Sequence, residues 1–220
     1  NVLKWIHKHG VSDFDAMTDV PQRLRDLLRE KARVAPPRVV LTQPASDGTS
    51  KWVLELEDGQ RVETVYIPDG HRSTVCVSSQ VGCALDCGFC STAQQGFNRN
   101  LTTAEIISQV WLASQLLEEE KKPGRKITNV VMMGMGEPLA NYRHLLSALE
   151  ILTNNQYGYR FANRRITVST AGLVPKIAAL GKDTRVNLAI SLNAADDGTR
   201  NRLMPINRKY PLEKLIAACR

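Results

Sequence analysis

The chain has 220 residues, 43% hydrophobic and 23% charged, with a formal net charge of +7; that is enough for one large soluble domain or one domain with a small companion. No run approaches the roughly 18 apolar residues of a membrane span, and no signal peptide is visible. Five cysteines, three of them crowded together, fit a reducing cytoplasm better than an oxidising compartment, and the positive balance permits a polyanionic partner.

Residues 1–35 read as a helical accessory segment with possible RNA contact. Val2, Trp5, Ile6 and His9 share one helical face, and Gly10 stops it. A second helix is expected from about Asp19-Val20-Pro21, with Asp19 as cap and Leu24, Leu27 and Leu28 as its apolar stripe. Its other side carries Arg23, Arg25, Arg29 and Arg33, which is either a solvated face or an RNA contact. Pro36-Pro37 marks a boundary. Residues 36–70 then form a small antiparallel extension of three strands, 38–43, 51–56 and 61–67, joined by turns at Asp47-Gly48 and Asp58-Gly59. So small a sheet needs a packing partner.

From residue 71 to 220 the rhythm is strand, loop, helix, repeated. Strands are expected at 72–77, 127–133, 165–170 and 185–192, with helices near 102–119, 142–153, 173–180 and 212–220. Thr102-Thr103-Ala104-Glu105 is a capping box. Apolar strands alternating with amphipathic helices predict an α/β fold, a parallel sheet or part of a barrel. The chain begins at Asn1 and stops inside a helix, so it reads as a fragment. Each suspect motif follows a strand: the cysteine loop, Gly134-Met135-Gly136-Glu137-Pro138, Ser169-Thr170 and Ser191-Leu192-Asn193. In barrels of this type that rim carries the chemistry.

Cys83, Cys87 and Cys90 lie in a C-x3-C-x2-C loop. Three thiolates from one loop leave the fourth iron of a [4Fe-4S] cluster open to a small chelating molecule. A structural zinc site, with Cys76 or His71 as fourth ligand, is the main rival. A ferredoxin run has a different spacing, and a disulfide framework suits secreted chains. Read without context, Gly-x-Gly-Glu-Pro is only a tight turn, the polar strand ends are turn formers, and Cys76 and Glu63 are ordinary strand residues. Cys219 joins Leu212, Leu215 and Ile216 at helical spacing, which predicts core packing.

Several strings in one order carry a resemblance across the whole chain: Val62-Glu63-Thr64-Val65-Tyr66-Ile67-Pro68, Cys76–Cys83, Ser91–Asn100 and Val131–Leu139. The chain resembles the radical S-adenosylmethionine (SAM) superfamily and, within it, the bacterial dual-specificity adenine-C2 RNA methyltransferases. The resemblance implies a partial (βα) barrel of the radical SAM type, with four of about six units present. It implies Cys83, Cys87 and Cys90 as ligands of a [4Fe-4S] cluster, with Gly136, Glu137, Ser169, Ser191, Leu192 and Asn193 in contact with SAM. Many relatives have His at the position of Asn193, so a backbone contact is expected there. The resemblance further implies Cys76 as the thiol that resolves a protein–RNA adduct, and Glu63 as the base that takes the C2 proton. If the Glu63 face is buried, its pKa rises toward base duty.

The implied reaction yields 2-methyladenosine in 23S rRNA and in tRNA, 3′ of the anticodon, by way of a methylated cysteine beyond residue 220. The segment alone is therefore expected to hold the cluster without turning over. Flavodoxin or ferredoxin is the implied electron donor, the enzyme is monomeric and cytoplasmic, and no membrane is involved. The rivals are a sister enzyme acting at adenine C8 and a non-catalytic metal-containing RNA-binding module. Two basic groups, Arg160, Arg164 and Arg165, and Arg200, Arg202, Arg208 and Lys209, either position phosphates or are solvated loops. Lys121, Lys122, Arg125 and Lys126 are expected in a solvated turn.

Overall fold

A computed structural model describes residues 1–119 and 127–220, so the turn bearing Lys121, Lys122, Arg125 and Lys126 lies outside the described residues. Helices α1 (Val2–His9) and α2 (Gln22–Lys31) open the chain. Phe14, Met17 and Val20 form a small buried cluster against Trp5, Ile6 and Leu28. Asp19 does not cap α2: its carboxylate accepts the Trp5 indole N–H, and Pro21 precedes the first helical residue. The expected stripe is divided, since Leu28 packs inward while Leu24 and Leu27 are exposed. On the arginine side, Arg25 donates to the Asp15 carbonyl, Arg29 pairs with Asp15 and Asp26, and Arg33 pairs with Glu57. Exposed pairs of this kind contribute at most about 1 kcal/mol. The helical segment is tied down by the Trp111 indole N–H donating to the Ile6 carbonyl (3.0 Å) and by Lys8 donating to the Asn155 carbonyl (2.6 Å).

Strands β1 (Arg38–Pro44), β2 (Ser50–Glu55), β3 (Arg61–Asp69) and β4 (Arg72–Cys76) pair in sequence, antiparallel. The next pair, β5 (Gln80–Gly82) and β6 (Phe97–Asn100), is a separate hairpin that sequence reading did not find. The short helix α3 (Ser91–Gln94) lies in its arch, and α4 (Thr103–Glu119) follows. Then come β7 (Asn129–Met132), α5 (Tyr142–Thr153), β8 (Ile166–Thr170), α6 (Val174–Asp183), β9 (Asn187–Ile190), α7 (Asp197–Leu203) and α8 (Leu212–Ala218). The main sheet runs β1-β2-β3-β4-β7-β8-β9, parallel from β4 onward, and the β extension is continuous with the parallel half. The fold is α/β, an open partial barrel.

Strand alternation gives this sheet two different faces. Trp52, Leu54, Val62, Tyr66, Val75, Val130, Met132, Ile166 and Val168 are buried, in one core with Ile106, Val110, Leu145, Leu149 and Ile177 of the helices. Residues one position over (Lys51, Val53, Glu63, Val65, Val131, Thr167, Ser169 and Ala189) line the other face, which is only half-buried. Helices pack against the first face.

The capping box at α4 is formed. Glu105 accepts from the Thr102 backbone N–H (2.8 Å), and the Thr102 hydroxyl accepts from Glu105 N–H (3.2 Å). Arg99, bridged to Asp58 as well, donates to both Glu105 oxygens at 2.7 and 2.9 Å. Burial pushes the Glu105 carboxyl up, but the bonds from Arg99 and Thr102 outweigh it and hold the pKa below its ordinary value. A lowered folded-state pKa stabilises above the unfolded value, near about 4.3, and that stability is lost as pH falls through the folded value. Glu105→Gln keeps the box and loses the charge. Its expected cost is about 1 kcal/mol at neutral pH, vanishing at low pH, as read from urea midpoints at several pH values.

Candidate radical SAM site

The ends of β4 and β7 are laid directly on one another. Ser79 and Gln80 N–H both reach the Met135 carbonyl (2.8 and 3.2 Å), the Ser78 hydroxyl accepts from Met135 N–H, and Gln80 Oε1 accepts from Glu137 N–H (2.8 Å). This contact needs Gly136, which has φ +95°; a Cβ there would lie 2.5 Å from Gln80 Cβ. Gly136→Ala is expected to cost about 2–4 kcal/mol, seen as a lowered urea midpoint with unchanged slope.

The cysteine loop springs from the β5–β6 hairpin. Gly82 turns with φ +73°, where a Cβ would lie 1.8 Å from the Gly96 carbonyl oxygen, and Cys83 N–H donates to that same oxygen (3.0 Å). Cys90 N–H closes a turn on the Cys87 carbonyl (3.0 Å), and α3 starts straight after Cys90. The far side of the loop is fastened by Gly88 N–H to the Leu203 carbonyl at the end of α7 (2.9 Å). All three thiols are free. Burial, then the neighbouring Cys83 and Cys90, pushes Cys87 up to about 11; burial also raises Cys83. A cationic iron centre reverses that balance by stabilising thiolates.

Among the described residues, no three His, Cys, Asp or Glu side chains are gathered as tightly as one metal ion requires. Three cysteines from one loop are the donor set that a [4Fe-4S] cluster with one open iron takes. Cys76 is not a fourth member of the loop. It lies on β4 across from Val65, and burial pushes its thiol up to about 11. The residues present fit a [4Fe-4S] cluster on Cys83, Cys87 and Cys90.

Glu137 is 3% exposed. One oxygen accepts from Leu139 N–H (3.0 Å), the other from Ala171 N–H (2.8 Å), and burial raises its pKa. Its negative charge also raises the Cys83 and Cys87 thiols. A carboxylate has about four acceptor positions, so two backbone bonds leave room for a ligand ammonium. Ser169 and Ser191 hydroxyls are 3.5 Å apart on adjoining strand ends. Leu192 is exposed, and Asn193 is left-handed (φ 57°) with its amide turned to the Met204 sulfur (3.3 Å), which leaves its backbone for any ligand.

Glu63 and Cys76 share one face of the sheet, since Val65 pairs with Cys76 and Glu63 lies one pleat farther along β3. That face is not buried at Glu63, so the expected desolvation is absent. The side chain is 44% exposed and pairs with Lys51 at 2.9 Å. Cys219 is likewise not core: it is exposed at the end of α8 while Leu212 and Leu215 are buried. In the cluster-free protein, iodoacetamide is expected to label Cys219 first and Cys76 last, by peptide mapping.

Two residues were missed. Gln109, fully buried on α4, holds Thr64 (2.9 Å) and both backbone groups of Ser78 (2.8 and 2.9 Å); a polar residue within an apolar helix face was its signal. Arg200, also fully buried, gave no signal beyond its charge. A cavity of about 840 Å³ lies elsewhere, between α1 and α4, bordered by Leu3, Ile6, Ile107 and Trp111. It belongs to the seam of the helical segment, and no cysteine lines it.

Comparison with known proteins agrees with this geometry. A family model described as the radical SAM superfamily matches residues 77–220, and one described as the ribosomal RNA large subunit methyltransferase N-terminal domain matches residues 1–34. The chain is 54% identical over its whole length to the dual-specificity RNA methyltransferase RlmN of Alcanivorax borkumensis and 52% identical to that of Marinobacter nauticus. It spans 58% and 59% of the length of those two curated relatives. A crystal structure of a radical SAM methyltransferase from Sphaerobacter thermophilus superposes with a TM-score of 0.91 at 44% identity, covering 100% of this chain and 64% of that one. The cysteine loop, the open parallel sheet and the match over residues 77–220 together establish that the chain belongs to the radical SAM superfamily.

Proposed function

We propose that the whole protein is a SAM-dependent RNA methyltransferase that forms 2-methyladenosine in 23S rRNA and in tRNA. It acts as a cytoplasmic monomer supplied with electrons by flavodoxin or ferredoxin. In this reading residues 1–35 and 36–70 are accessory to the core at 71–220. The observation that supports it is that Glu63 and Cys76 lie on one face of adjoining strands, while the Glu137 carboxylate lies within electrostatic reach of Cys83 and Cys87. When bound, the [4Fe-4S] cluster supplies the electron that cleaves a carbon–sulfur bond of SAM. The chain's own residues do the rest. Cys83, Cys87 and Cys90 hold iron, Glu137 accepts the ligand ammonium, and Gly136 and the ends of β8 and β9 shape the adjoining walls. Glu63, paired with Lys51 at 2.9 Å, accepts the C2 proton of the adenine. Cys76, buried, forms a disulfide with the methyl-carrying cysteine; the bond from that cysteine's sulfur to the transferred carbon breaks, and the methylated base is freed.

The test is mass spectrometry of nucleosides from RNA treated anaerobically with the full-length protein. 2-Methyladenosine with equivalent deoxyadenosine is expected; product at C8, or methylation without deoxyadenosine, overturns the reading. Glu63→Gln is expected to keep iron and SAM binding, lose at least about 100-fold in turnover and accumulate a protein–RNA adduct on denaturing gels. Normal turnover by that variant removes Glu63 from the mechanism.

A further inference from the structure

Arg200 is neither a phosphate contact nor a solvated loop residue, the two roles its basic neighbourhood predicts. It is 0% exposed, and every partner it has is neutral. Nε donates to the Leu192 carbonyl (3.0 Å), Nη2 to the Ala171 carbonyl (2.7 Å) and the Ser191 carbonyl (3.3 Å), and Nη1 to Asn207 Oδ1 (2.6 Å). The carboxylate of Asp197 makes no direct hydrogen bond to it but is linked through Asn207, whose amide donates to Asp197 (2.8 Å). Burying a charge without a direct counter-ion costs several kcal/mol, and arginine does not shed its proton to avoid the cost.

Its partners join the ends of β8 and β9. Ala171 accepts from Arg200 through its carbonyl and donates to Glu137 through its N–H (2.8 Å), so one residue separates the buried anion from the buried cation. The helix that carries Arg200 also fastens the cysteine loop, through the Leu203 carbonyl and Gly88 N–H (2.9 Å). We propose that Arg200 is a positioning residue of the radical SAM site: its fork fixes the strand ends that meet SAM, and its buried charge makes the cluster easier to reduce. The proposal rests on Cys83, Cys87 and Cys90 being the cluster ligands. A cluster held by three thiolates is net negative, and reduction adds one more negative charge. A cation in the same low-dielectric region offsets that addition.

The experiment uses the full-length protein with reconstituted cluster and reads two quantities: the reduced-to-oxidised ratio by electron paramagnetic resonance in a redox titration, and the SAM dissociation constant by equilibrium dialysis. Arg200→Gln is expected to lower the ratio about tenfold at fixed potential, about 59 mV for a one-electron couple, and to weaken SAM binding. Arg200→Lys, which keeps the charge and loses the fork, is expected to hold the ratio within about twofold while weakening SAM at least about tenfold. Asp197→Asn, exposed and isosteric, is expected to raise the ratio about twofold, which keeps the charge effect testable if Arg200→Gln does not fold. An unchanged ratio in the folded Gln variant, or in Asp197→Asn if Gln does not fold, overturns the electrostatic role. Wild-type SAM affinity in the Lys variant overturns the positioning role. A wild-type protein without iron and sulfide overturns the cysteine reading itself, a separate result.

Discussion

Replacing Cys87 by Ala is expected to strip the protein of its cluster while leaving its fold in place. Cys87 is only half-buried, at the tip of a loop whose anchors lie elsewhere, in Cys83 N–H to Gly96 and Gly88 N–H to Leu203. Its side chain supports little of the core, so the cost to stability is about 1 kcal/mol or less. The cost to the site is of another order. Three thiolates are the whole protein ligand set, and losing one leaves a second iron without a protein ligand. Removing even a residue that only supports a ligand costs about 10–100-fold in metal affinity or activity, so the loss of a ligand exceeds that. Iron and sulfide per chain fall to background, the broad absorbance of the cluster disappears, and SAM cleavage goes with it. Circular dichroism and the urea midpoint stay close to wild type. A Cys87→Ala protein that retains full iron content contradicts the ligand assignment.

The second large effect is at Glu137. Glu137→Gln keeps the shape and one acceptor oxygen but removes the charge that meets the ligand ammonium. Truncating a buried, hydrogen-bonded charge pair costs about 2–5 kcal/mol, which is roughly 30-fold or more in SAM affinity. The amide also turns an N–H toward Leu139 N–H or Ala171 N–H, so stability falls by about 1–3 kcal/mol. A pH signature distinguishes the charge from the packing. Burial raises the Glu137 pKa, and only the ionised carboxylate attracts an ammonium. Wild-type SAM affinity therefore falls as pH drops through that raised value, and the affinity of the Gln variant does not follow it. Isothermal titration across pH 5–8 on cluster-loaded protein reads both effects.

Much of this molecule is legible from its residues. The apolar runs of β7, β8 and β9, the Asp-Gly turns that join β1, β2 and β3, and the capping box at Thr102 all carry local signals strong enough to place them. The cysteine loop also stands out by its spacing, whereas the Gly-Glu pair after β7, read alone, is only a tight turn and stands out through the resemblance. What the sequence hid is long-range. The β5–β6 hairpin has strands of three and four residues and depends on a contact between Cys83 and Gly96 that no local pattern encodes. Asp19 had the right chemistry for a cap and was drawn away by Trp5. Helix α7 is seven residues long and was missed, although Asp196 caps it by accepting from Thr199 N–H. Arg200 and its basic neighbours look alike in composition, and only packing separates the buried one from the solvated ones. Glu63 erred in the opposite sense: strand alternation set its face correctly, but that face is not buried at Glu63.

The central claim is that Cys83, Cys87 and Cys90 hold a cluster whose free iron meets SAM beside Glu137. The most direct test is pulsed electron–nuclear double resonance on the reduced full-length protein with SAM labelled at its amino nitrogen and carboxylate. The account predicts hyperfine coupling of both groups to the cluster. A metal content of zinc, or an iron–sulfur signal that the labelled SAM leaves unchanged, would contradict it.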